Sequence, residues 1–539
     1  MTLDPAPGSA QADSEDAAGY AELGRALLDR GDHPAAAQAL VRAISLNPRL
    51  AVPSFHLGLA ARALGDVSAA VAGFERATDL EPSTFHFEHE LARALASNDE
   101  DERAVGHYQA ALIANPSSSE VLMELGVVLG RLGRYPAAVA VARRAVGLRP
   151  DSPQAHAALG VSLRGVTALD ESVEHLEKAR ALRPGWAAVE RELALTLREM
   201  GELERAVEHA SRALELDPLD YRAHGALVEL AELDPSGDRA ALEAEARRWH
   251  ERHGGGVESP PYAVTPEPGR RLRVGYVFES LGTVENGASL VPLFLHHDRR
   301  VVEIFAYSCV ERPDGVTAEL RQRADRFRDV RRLDDEALSE RIRADRIDVI
   351  VDLVGYGATT RFRAIARRPA PLSVAWSFVT SVLPPRLFDG EVTEVAYGPS
   401  SEAPVTPLPA LSRGALTFGA LGPIREVNAR VVETFARVLG ACAGARLLVA
   451  APRGEARTRR LEAFARAGIA TERVEFLDPA PRPLRSNWYE RVDVVLDTFP
   501  CSGSTRTFDA VWHGVPVVTL GAGLPNDRGA RIARGLGLD

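Results

Sequence analysis

The sequence predicts an α-helical repeat array followed by two α/β lobes with parallel sheets, and three observations support this fold class. A period of 34 residues runs from residue 17 to residue 220. After residue 271 this period is lost, and short apolar runs alternate with segments of helical character, which is typical of parallel sheets. Residues 492–520 then combine an apolar run, a loop of small residues, a short helix and a second apolar run.

Composition limits the classes of function and the compartment. The 539 residues carry a formal net charge of −11, which argues against a surface for nucleic acids. The three cysteines, Cys309, Cys442 and Cys501, are too widely spaced for a disulfide framework or a metal motif, so we expect a reducing cytoplasm. No apolar run reaches the ~18 residues that crossing a membrane requires. The acidic segment 1–16 lacks the apolar core of a signal peptide, and we expect it to be disordered.

Six units of 34 residues fill residues 17–220, and they share small residues at fixed positions. Each unit has glycine or alanine at position 8, a small residue at position 20, alanine at position 27 and proline at position 32. The prolines are Pro48, Pro82, Pro116, Pro150, Pro184 and Pro218. This is the tetratricopeptide (TPR) pattern, which predicts an α-solenoid that binds peptides or partner proteins in its concave groove. The alternative is a rigid spacer, or a strut through which two copies dimerise.

Composition and apolar runs divide the rest of the chain. Residues 221–252 predict helices that cap the array, and residues 253–271, rich in glycine and proline, predict a linker. The first lobe then spans residues 272–412 and the second lobe residues 413–539. Strands are predicted at residues 272–277, 301–308, 347–353 and 372–376 of the first lobe, and at 446–451, 474–477 and 492–496 of the second.

The loop at residues 500–505 is the first candidate site. Asp497 stands at the carboxyl end of the buried run 492–496, and ligands of open α/β sheets bind at that edge. A helix that begins behind Ser504 and Thr505 would present free N–H groups and its positive dipole end to a phosphate. The alternative is a turn of serine and glycine that only caps the helix.

The run LDTFPCSGSTRTFDAVWHGVPVVTL at residues 496–520 resembles the nucleotide-sugar loop of the O-linked N-acetylglucosamine transferases and their SPINDLY relatives. These are TPR-bearing glycosyltransferases with the GT-B fold, which consists of two Rossmann-like lobes. The matching residues are Asp497, Gly503, Thr505, Asp509, Trp512, Gly514, Pro516 and Thr519. RVGYV at residues 273–277, VEIFAYS at 302–308 and RRPAPLSVAW at 367–376 also follow the order of this family. Since the family normally continues beyond Asp539, the resemblance implies an incomplete second lobe.

The resemblance implies an activity and a set of ligand-binding residues. The chain would transfer GlcNAc or a related sugar from a UDP-sugar to Ser or Thr of proteins held by the TPR array, without a metal or another cofactor. The residues expected to bind the nucleotide-sugar are Arg482, Arg485, Gly503, Ser504, Thr505, Asp509 and Arg528. For Asp509 the alternative is a carboxylate that only complements the helix dipole.

The catalytic positions depart from the family pattern. Glu426 stands where the family has the lysine that neutralises the leaving diphosphate, so Arg425 is the candidate cation if the loop shifts by one residue. The alternative is that Arg425 and Glu426 form only an exposed first helical turn. Val284 stands at the position of a family histidine, which leaves the adjacent Glu285 as the candidate base. His296 and His297 are expected to be solvated at a helix end.

These departures leave two functions open. The first is the glycosyltransferase itself, supported by the intact loop around Asp497 and Thr505. The second is a catalytically impaired pseudo-glycosyltransferase that acts as a TPR scaffold, supported by Val284, by Glu426 and by the changed loop at residues 377–383. UDP binding and sugar transfer distinguish the two.

Overall fold

The structure is a computed structural model that divides into two compact units, Met1–Val166 and Thr167–Asp539. It describes residues 7–98, 100–236, 238–254, 269–279, 287–310, 315–356, 360–376, 387–392, 407–479, 487–503, 505–520 and 528–535. Among the described helices, none combines the length and the apolar character that crossing a bilayer requires.

The first unit consists of consecutive helices that pack in pairs. They are α1 (Pro7–Asp29), α2 (His33–Leu46), α3 (Ala51–Ala63), α4 (Val67–Leu80), α5 (Phe85–Ser97), α6 (Asp101–Ala114), α7 (Ser119–Arg131), α8 (Tyr135–Leu148) and α9 (Pro153–Gly165). Helix α1 begins at Pro7, which differs from the disorder predicted for residues 7–16, whereas residues 1–6 lie outside the described residues. The alanines of this segment have high helix propensity, so the first repeat helix extends towards the amino terminus.

The packing of the repeats explains the small residues of the TPR pattern. A Cβ atom added at Gly58 would lie 2.6 Å from the ring of Phe74, so only glycine lets α3 approach α4 this closely. The alanines at position 27 are fully buried in all six 34-residue repeats. They are Ala43, Ala77, Ala111, Ala145, Ala179 and Ala213. The predicted α-solenoid is confirmed, and each second helix ends two residues before the proline of its unit.

The second unit begins with helices of the same kind. They are α10 (Leu169–Leu182), α11 (Ala187–Met200), α12 (Leu203–Leu216), α13 (Tyr221–Glu232) and α14 (Arg239–Trp249), and a π-helical turn follows at His250–Gly254. Trp249 is fully buried, and its ring meets those of Tyr356 and Phe362 edge-on at centroid distances of 5.4 and 5.7 Å. Helix α14 therefore shares a hydrophobic core with the sheet that follows.

The first sheet has six parallel strands in the order β3-β2-β1-β4-β5-β6. Its elements are β1 (Leu272–Phe278), α15 (Gly287–His296), β2 (Val302–Ser308), α16 (Gly315–Arg323), β3 (Arg326–Asp329), α17 (Asp335–Ala344), β4 (Val349–Asp352), α18 (Phe362–Ala366), β5 (Leu372–Trp376) and β6 (Gly390–Val392). The strands read as continuous apolar runs because helices cover both faces of a parallel sheet.

The second sheet has five parallel strands in the order β11-β10-β7-β8-β9. Its elements are α19 (Pro409–Arg413), β7 (Thr417–Ala420), a 3-10 turn (Ile424–Glu426), α20 (Ala429–Ala441), β8 (Arg446–Ala450), α21 (Glu455–Arg466), a second 3-10 turn (Thr471–Arg473), β9 (Val474–Leu477), β10 (Val494–Leu496), α22 (Thr505–Trp512), β11 (Val517–Val518) and α23 (Arg528–Gly535). Two parallel sheets after a TPR array confirm the predicted fold class.

Candidate functional site

The order of strands in the second sheet locates a crevice for ligands. Strands β7 and β10 are neighbours, but β7 leads to β8 on one side of the sheet and β10 leads to β11 on the other. The loops after these two strands therefore diverge, and ligands of open α/β sheets bind at such a switch point. The first loop carries Glu426, and the described part of the second consists of residues 497–503.

The carboxylate of Asp497 holds the second loop in shape. Its Oδ1 accepts the backbone N–H groups of Thr498 and Gly503 at 3.0 and 2.8 Å, and its Oδ2 accepts the hydroxyl of Thr519 at 3.0 Å. Burial raises the pKa of Asp497 to about 6, and the hydrogen bond from Gly503 acts in the opposite direction. Asp497 thus joins the end of β10, the small-residue loop and the segment after β11.

Three further contacts fix the loop. The hydroxyl of Thr498 lies 2.8 Å from the carbonyl oxygen of Cys501 and shares its single hydrogen between this carbonyl and the carboxylate of Glu426. The hydroxyl of Ser502 accepts the N–H of Gly529 at 2.8 Å. The thiol of Cys501 lies 3.1 Å from the carbonyl oxygen of Glu232, at the end of α13. The last TPR helices therefore support the loop directly.

A largely buried ion pair connects the two loops. Glu426 Oε2 accepts the hydroxyl of Thr498 at 2.9 Å and Nη2 of Arg506 at 2.5 Å. The side chains of Glu426 and Arg506 are only 11% and 10% exposed. A Cβ atom added at Gly422 would lie 3.2 Å from Arg506 Nη2, and one added at Gly503 would lie 3.1 Å from Arg506 Nε. The guanidinium therefore lies between two glycines, one in each loop.

This ion pair corrects the interpretation of residues 425 and 426. The alternative of an exposed first helical turn is wrong for Glu426, because it belongs to a 3-10 turn before α20 and only 11% of its side chain is exposed. In the described part of the chain, Glu426 rather than Arg425 is hydrogen-bonded to the loop. Arg425 turns its backbone towards α11, where a Cβ atom at Gly201 would lie 3.4 Å from its Cα. Its catalytic role stays a prediction.

The other predicted ligands fall into two groups. Gly503 donates its N–H to Asp497, and Asp509 is 8% exposed on α22, where its carbonyl accepts the N–H of His513. Asp509 is the fifth residue of the helix, beyond the first turn in which the dipole acts most strongly. The residues Val284, Glu285, Arg482, Arg485 and Ser504 lie outside the described residues, as do the side chains of Thr505 and Arg528, which begin α22 and α23.

Arg506 is the residue that the sequence reasoning missed. The family pattern has threonine at this position and lysine at position 426, whereas this chain has arginine and glutamate. The two departures introduce opposite charges, and they lie in loops that follow strands of one sheet. They indicate an ion pair only when positions 426 and 506 are compared with each other. Taken alone, each departure indicates only that a family residue is replaced.

Two observations concern groups outside the second lobe. His297 is half-buried and hydrogen-bonded to the hydroxyl of Tyr276 at 2.7 Å, so the expectation of a solvated histidine is wrong for it, and burial lowers its pKa. Within the described residues, possible ligand atoms of His89, Glu120 and Glu124 lie within 4.8 Å of one another. Glu124 already accepts a hydrogen bond from His89 and lies 3.4 Å from Arg93, which satisfies its charge without a metal.

A TPR solenoid followed by two parallel α/β sheets, with a small-residue loop at the switch point of the second, defines the class of TPR-bearing GT-B proteins. The family model of glycosyl transferase family 41 matches residues 257–399. The tetratricopeptide repeat model matches residues 21–82, 55–119, 123–187 and 191–249, and its last match includes α13 and α14. The chain belongs to glycosyl transferase family 41.

Relatives of this family match over different shares of their length. The chain is 32% identical to a lysine-to-methionine mutant of the Thermobaculum terrenum O-GlcNAc transferase, with a TM-score of 0.71 over 78% of this chain and 86% of that one. It is 30% identical over 308 residues to a probable UDP-N-acetylglucosamine–peptide N-acetylglucosaminyltransferase, SPINDLY, of Solanum lycopersicum. That match covers 50% of this chain but only 33% of the relative. The Arabidopsis thaliana protein SEC is 26% identical over 47% of this chain and 29% of its own length.

Proposed function

We propose that the protein transfers GlcNAc or a related sugar from a UDP-sugar to Ser or Thr of proteins that its TPR array binds. The observation that carries this proposal is the loop built on Asp497 at the switch point of the second sheet, in a chain of glycosyl transferase family 41. The names of the relatives in Solanum lycopersicum and Thermobaculum terrenum support GlcNAc as the sugar.

The chemistry needs a place for the leaving diphosphate and a group that orients the acceptor. The acceptor hydroxyl attacks the anomeric carbon and passes its proton to a base, for which Glu285 is the proposed residue. The bond from that carbon to the phosphate oxygen breaks, and UDP leaves with the bonding electrons. The N–H groups that open α22 and the adjacent loop are suited to the phosphates. Asp509, buried one turn into α22, is the proposed ligand of the ribose. Arg482, Arg485 and Arg528 are the proposed further ligands of the nucleotide.

One observation favours a second function. The carboxylate of Glu426 lies at the loop, where the family pattern has a lysine, and a carboxylate there repels a diphosphate. A TPR scaffold that binds UDP without turnover is therefore the alternative proposal. In this case the nucleotide would serve as a structural ligand of the second lobe.

Calorimetry with UDP and a transfer assay with UDP-GlcNAc test these proposals on the full chain. Asp509→Ala is the test variant. Asp478→Ala is its control, since Asp478 is an exposed carboxylate of the same lobe that pairs with Arg453. Transfer that Asp509→Ala abolishes and Asp478→Ala preserves supports the enzyme. UDP binding without transfer supports the scaffold, and failure of UDP to bind overturns both proposals.

A further inference from the structure

The guanidinium of Arg506 is the buried cation that lies between the two loops of the switch point. It is enclosed by Gly422, in the loop after β7, and by Gly503, in the loop after β10. A Cβ atom added at Gly422 would lie 2.7 Å from Glu426 Oε2 and 3.2 Å from Arg506 Nη2, and one added at Gly503 would lie 3.1 Å from Arg506 Nε, so any side chain at either glycine would meet this ion pair. Two adjacent loops thus leave room for one arginine at the edge of the sheet where ligands bind.

The carboxylate of Glu426 contacts Arg506 in the way that a bound anionic ligand would. One of its oxygens, Oε2, accepts a guanidinium hydrogen bond from Arg506 and also lies 2.9 Å from the hydroxyl of Thr498, whose single hydrogen it shares with the carbonyl of Cys501. A hydroxyl and an arginine fork are donors that bind phosphate oxygens as well as they bind carboxylates. Glu426 therefore satisfies a donor set that would also accept a phosphate group.

We infer that Arg506 is the cation that binds the diphosphate of the donor, and that Glu426 occupies the same anion site when no nucleotide is present. This inference rests on the proposed function for the identity of the ligand as a nucleoside diphosphate. It assigns Arg506 to phosphate binding and makes Glu426 a positioning residue that competes with the phosphate for Arg506 and Thr498. The positive charge that the family pattern has at position 426 is thus supplied from position 506.

The competition has a thermodynamic signature. Removing one member of a largely buried ion pair takes away a counter-charge that offsets the desolvation of the other member, which destabilises the fold. Removing the charge of Glu426 should therefore destabilise the free protein, and an anion that binds Arg506 should restore the loss. The carboxylate of Asp497 also faces Arg506, but it already accepts hydrogen bonds from Thr498, Gly503 and Thr519 and remains in every variant.

The test uses the full chain with three variants and two probes, UDP and inorganic pyrophosphate. Glu426→Gln should lower the unfolding temperature of the free protein, bind both probes about tenfold more tightly than the wild type, and show a larger thermal shift with each. The double variant Glu426→Gln with Arg506→Met should regain much of the unfolding temperature and bind both probes at least about tenfold more weakly than Glu426→Gln. Glu426→Asp, whose shorter side chain draws back from Arg506, should change affinity in the same direction if Glu426→Gln does not fold.

The outcomes separate this inference from the proposed function. If UDP binds the double variant as tightly as Glu426→Gln, the role of Arg506 is wrong and the proposed function stands. If pyrophosphate binds through Arg506 but UDP binds no better than pyrophosphate, the anion site stands and the proposed function fails. If neither probe binds any variant, both fail. A loss of stability in Glu426→Gln that neither probe restores shows a purely structural ion pair and overturns the inference.

Discussion

The carboxylate of Asp170, in helix α10, accepts the backbone N–H of Glu455 at 2.9 Å and so caps helix α21 of the second lobe. The residue before this helix is Gly454, whose φ of +99° and close approach to Asp170 exclude a side chain. Glu202, in the turn between α11 and α12, forms an ion pair with Arg459 of helix α21. Hydrogen bonds and ion pairs therefore connect the last TPR helices to the second lobe. A substitution in these helices should change the stability of that lobe.

The first prediction concerns this cap. Asp170→Ala removes the acceptor for the N–H of Glu455, and we expect the free energy of unfolding to fall by about 1 kcal/mol, as for other helix caps. Urea denaturation of the full chain measures the change. Glu174→Ala is the control, because Glu174 is exposed on the same helix. Equal stability of the two variants would show that the cap contributes nothing.

The second prediction concerns the turn between α11 and α12. Gly201 has a φ of +79°, and an added Cβ atom would lie 3.0 Å from Arg460 Nη2 and 3.4 Å from both Arg425 Cα and the carbonyl oxygen of Ile424. Gly201→Ala should therefore destabilise the protein beyond the ~1–3 kcal/mol of a left-handed alanine. It should also displace the 3-10 turn that carries Glu426, and so change the affinity for UDP.

Gly468→Ala is the matched control for this prediction. Gly468 has a similar φ of +84°, but no atom lies within 4 Å of its added Cβ position. The difference in unfolding free energy between the two variants isolates the contact with the turn. Calorimetry with UDP then tests the link to the site, and an unchanged affinity in Gly201→Ala would refute it.

The third prediction concerns the contact of α13 with the first lobe. A Cβ atom added at Gly225 would lie 2.5 Å from the backbone carbonyl oxygen of Tyr356, which cannot move as a flexible side chain does. Gly225→Ala should therefore destabilise the protein by ~1–3 kcal/mol, although alanine favours a helix over glycine. Thermal unfolding measures the change.

Gly440→Ala provides the comparison of opposite sign. Gly440 lies in helix α20 with open space around its added Cβ position, so alanine should stabilise the helix by up to about 1 kcal/mol. If Gly225→Ala also raised the unfolding temperature, the close approach of α13 to Tyr356 would not exist in solution.

Patterns that repeat or that follow one chain segment were predictable from the sequence. The buried alanines at position 27 could be placed because a 34-residue period carries them, and Asp497 could be placed because it ends an apolar run. The ion pair of Glu426 with Arg506 could not, since it depends on which strands are neighbours. Residues 426 and 506 are 80 positions apart, and only the adjacency of β7 and β10 brings them together.

The same reason explains two other contacts that were not predicted from the sequence, one at the site and one in the first lobe. The contact of Cys501 with Glu232 joins a loop of the second lobe to a TPR helix 269 positions earlier in the chain. No periodicity or motif spans that separation, so only the assembled fold reveals it. His297 was expected in solvent because it follows a helix, but the position of Tyr276 on the neighbouring strand provides it with a hydrogen-bond partner.

The fourth prediction concerns pH. The pKa of Asp497 is about 6 in the folded protein, compared with an ordinary value of 3.8 that applies to the unfolded chain. The folded state therefore binds the proton of Asp497 more tightly than the unfolded state does. The resulting stabilisation is complete below pH ~4 and is lost as the pH rises through 6. Asn at this position carries no charge, can accept from Thr498 and Gly503, and can donate to Thr519. Asp497→Asn should therefore gain stability relative to the wild type as the pH rises from 4 to 6, by at most about 3 kcal/mol.

Urea denaturation of both proteins at several pH values between 4 and 8 measures this difference. Asp352→Asn provides the comparison, because burial raises the pKa of Asp352 to about 7, so its difference from the wild type should continue to grow between pH 6 and 7. The Asp497→Asn difference should instead be constant above pH ~7. A difference that does not change between pH 4 and 6, or that decreases, would mean that Asp497 is already ionised at pH 4. The hydrogen bonds from Gly503, Thr498 and Thr519 would then outweigh its burial.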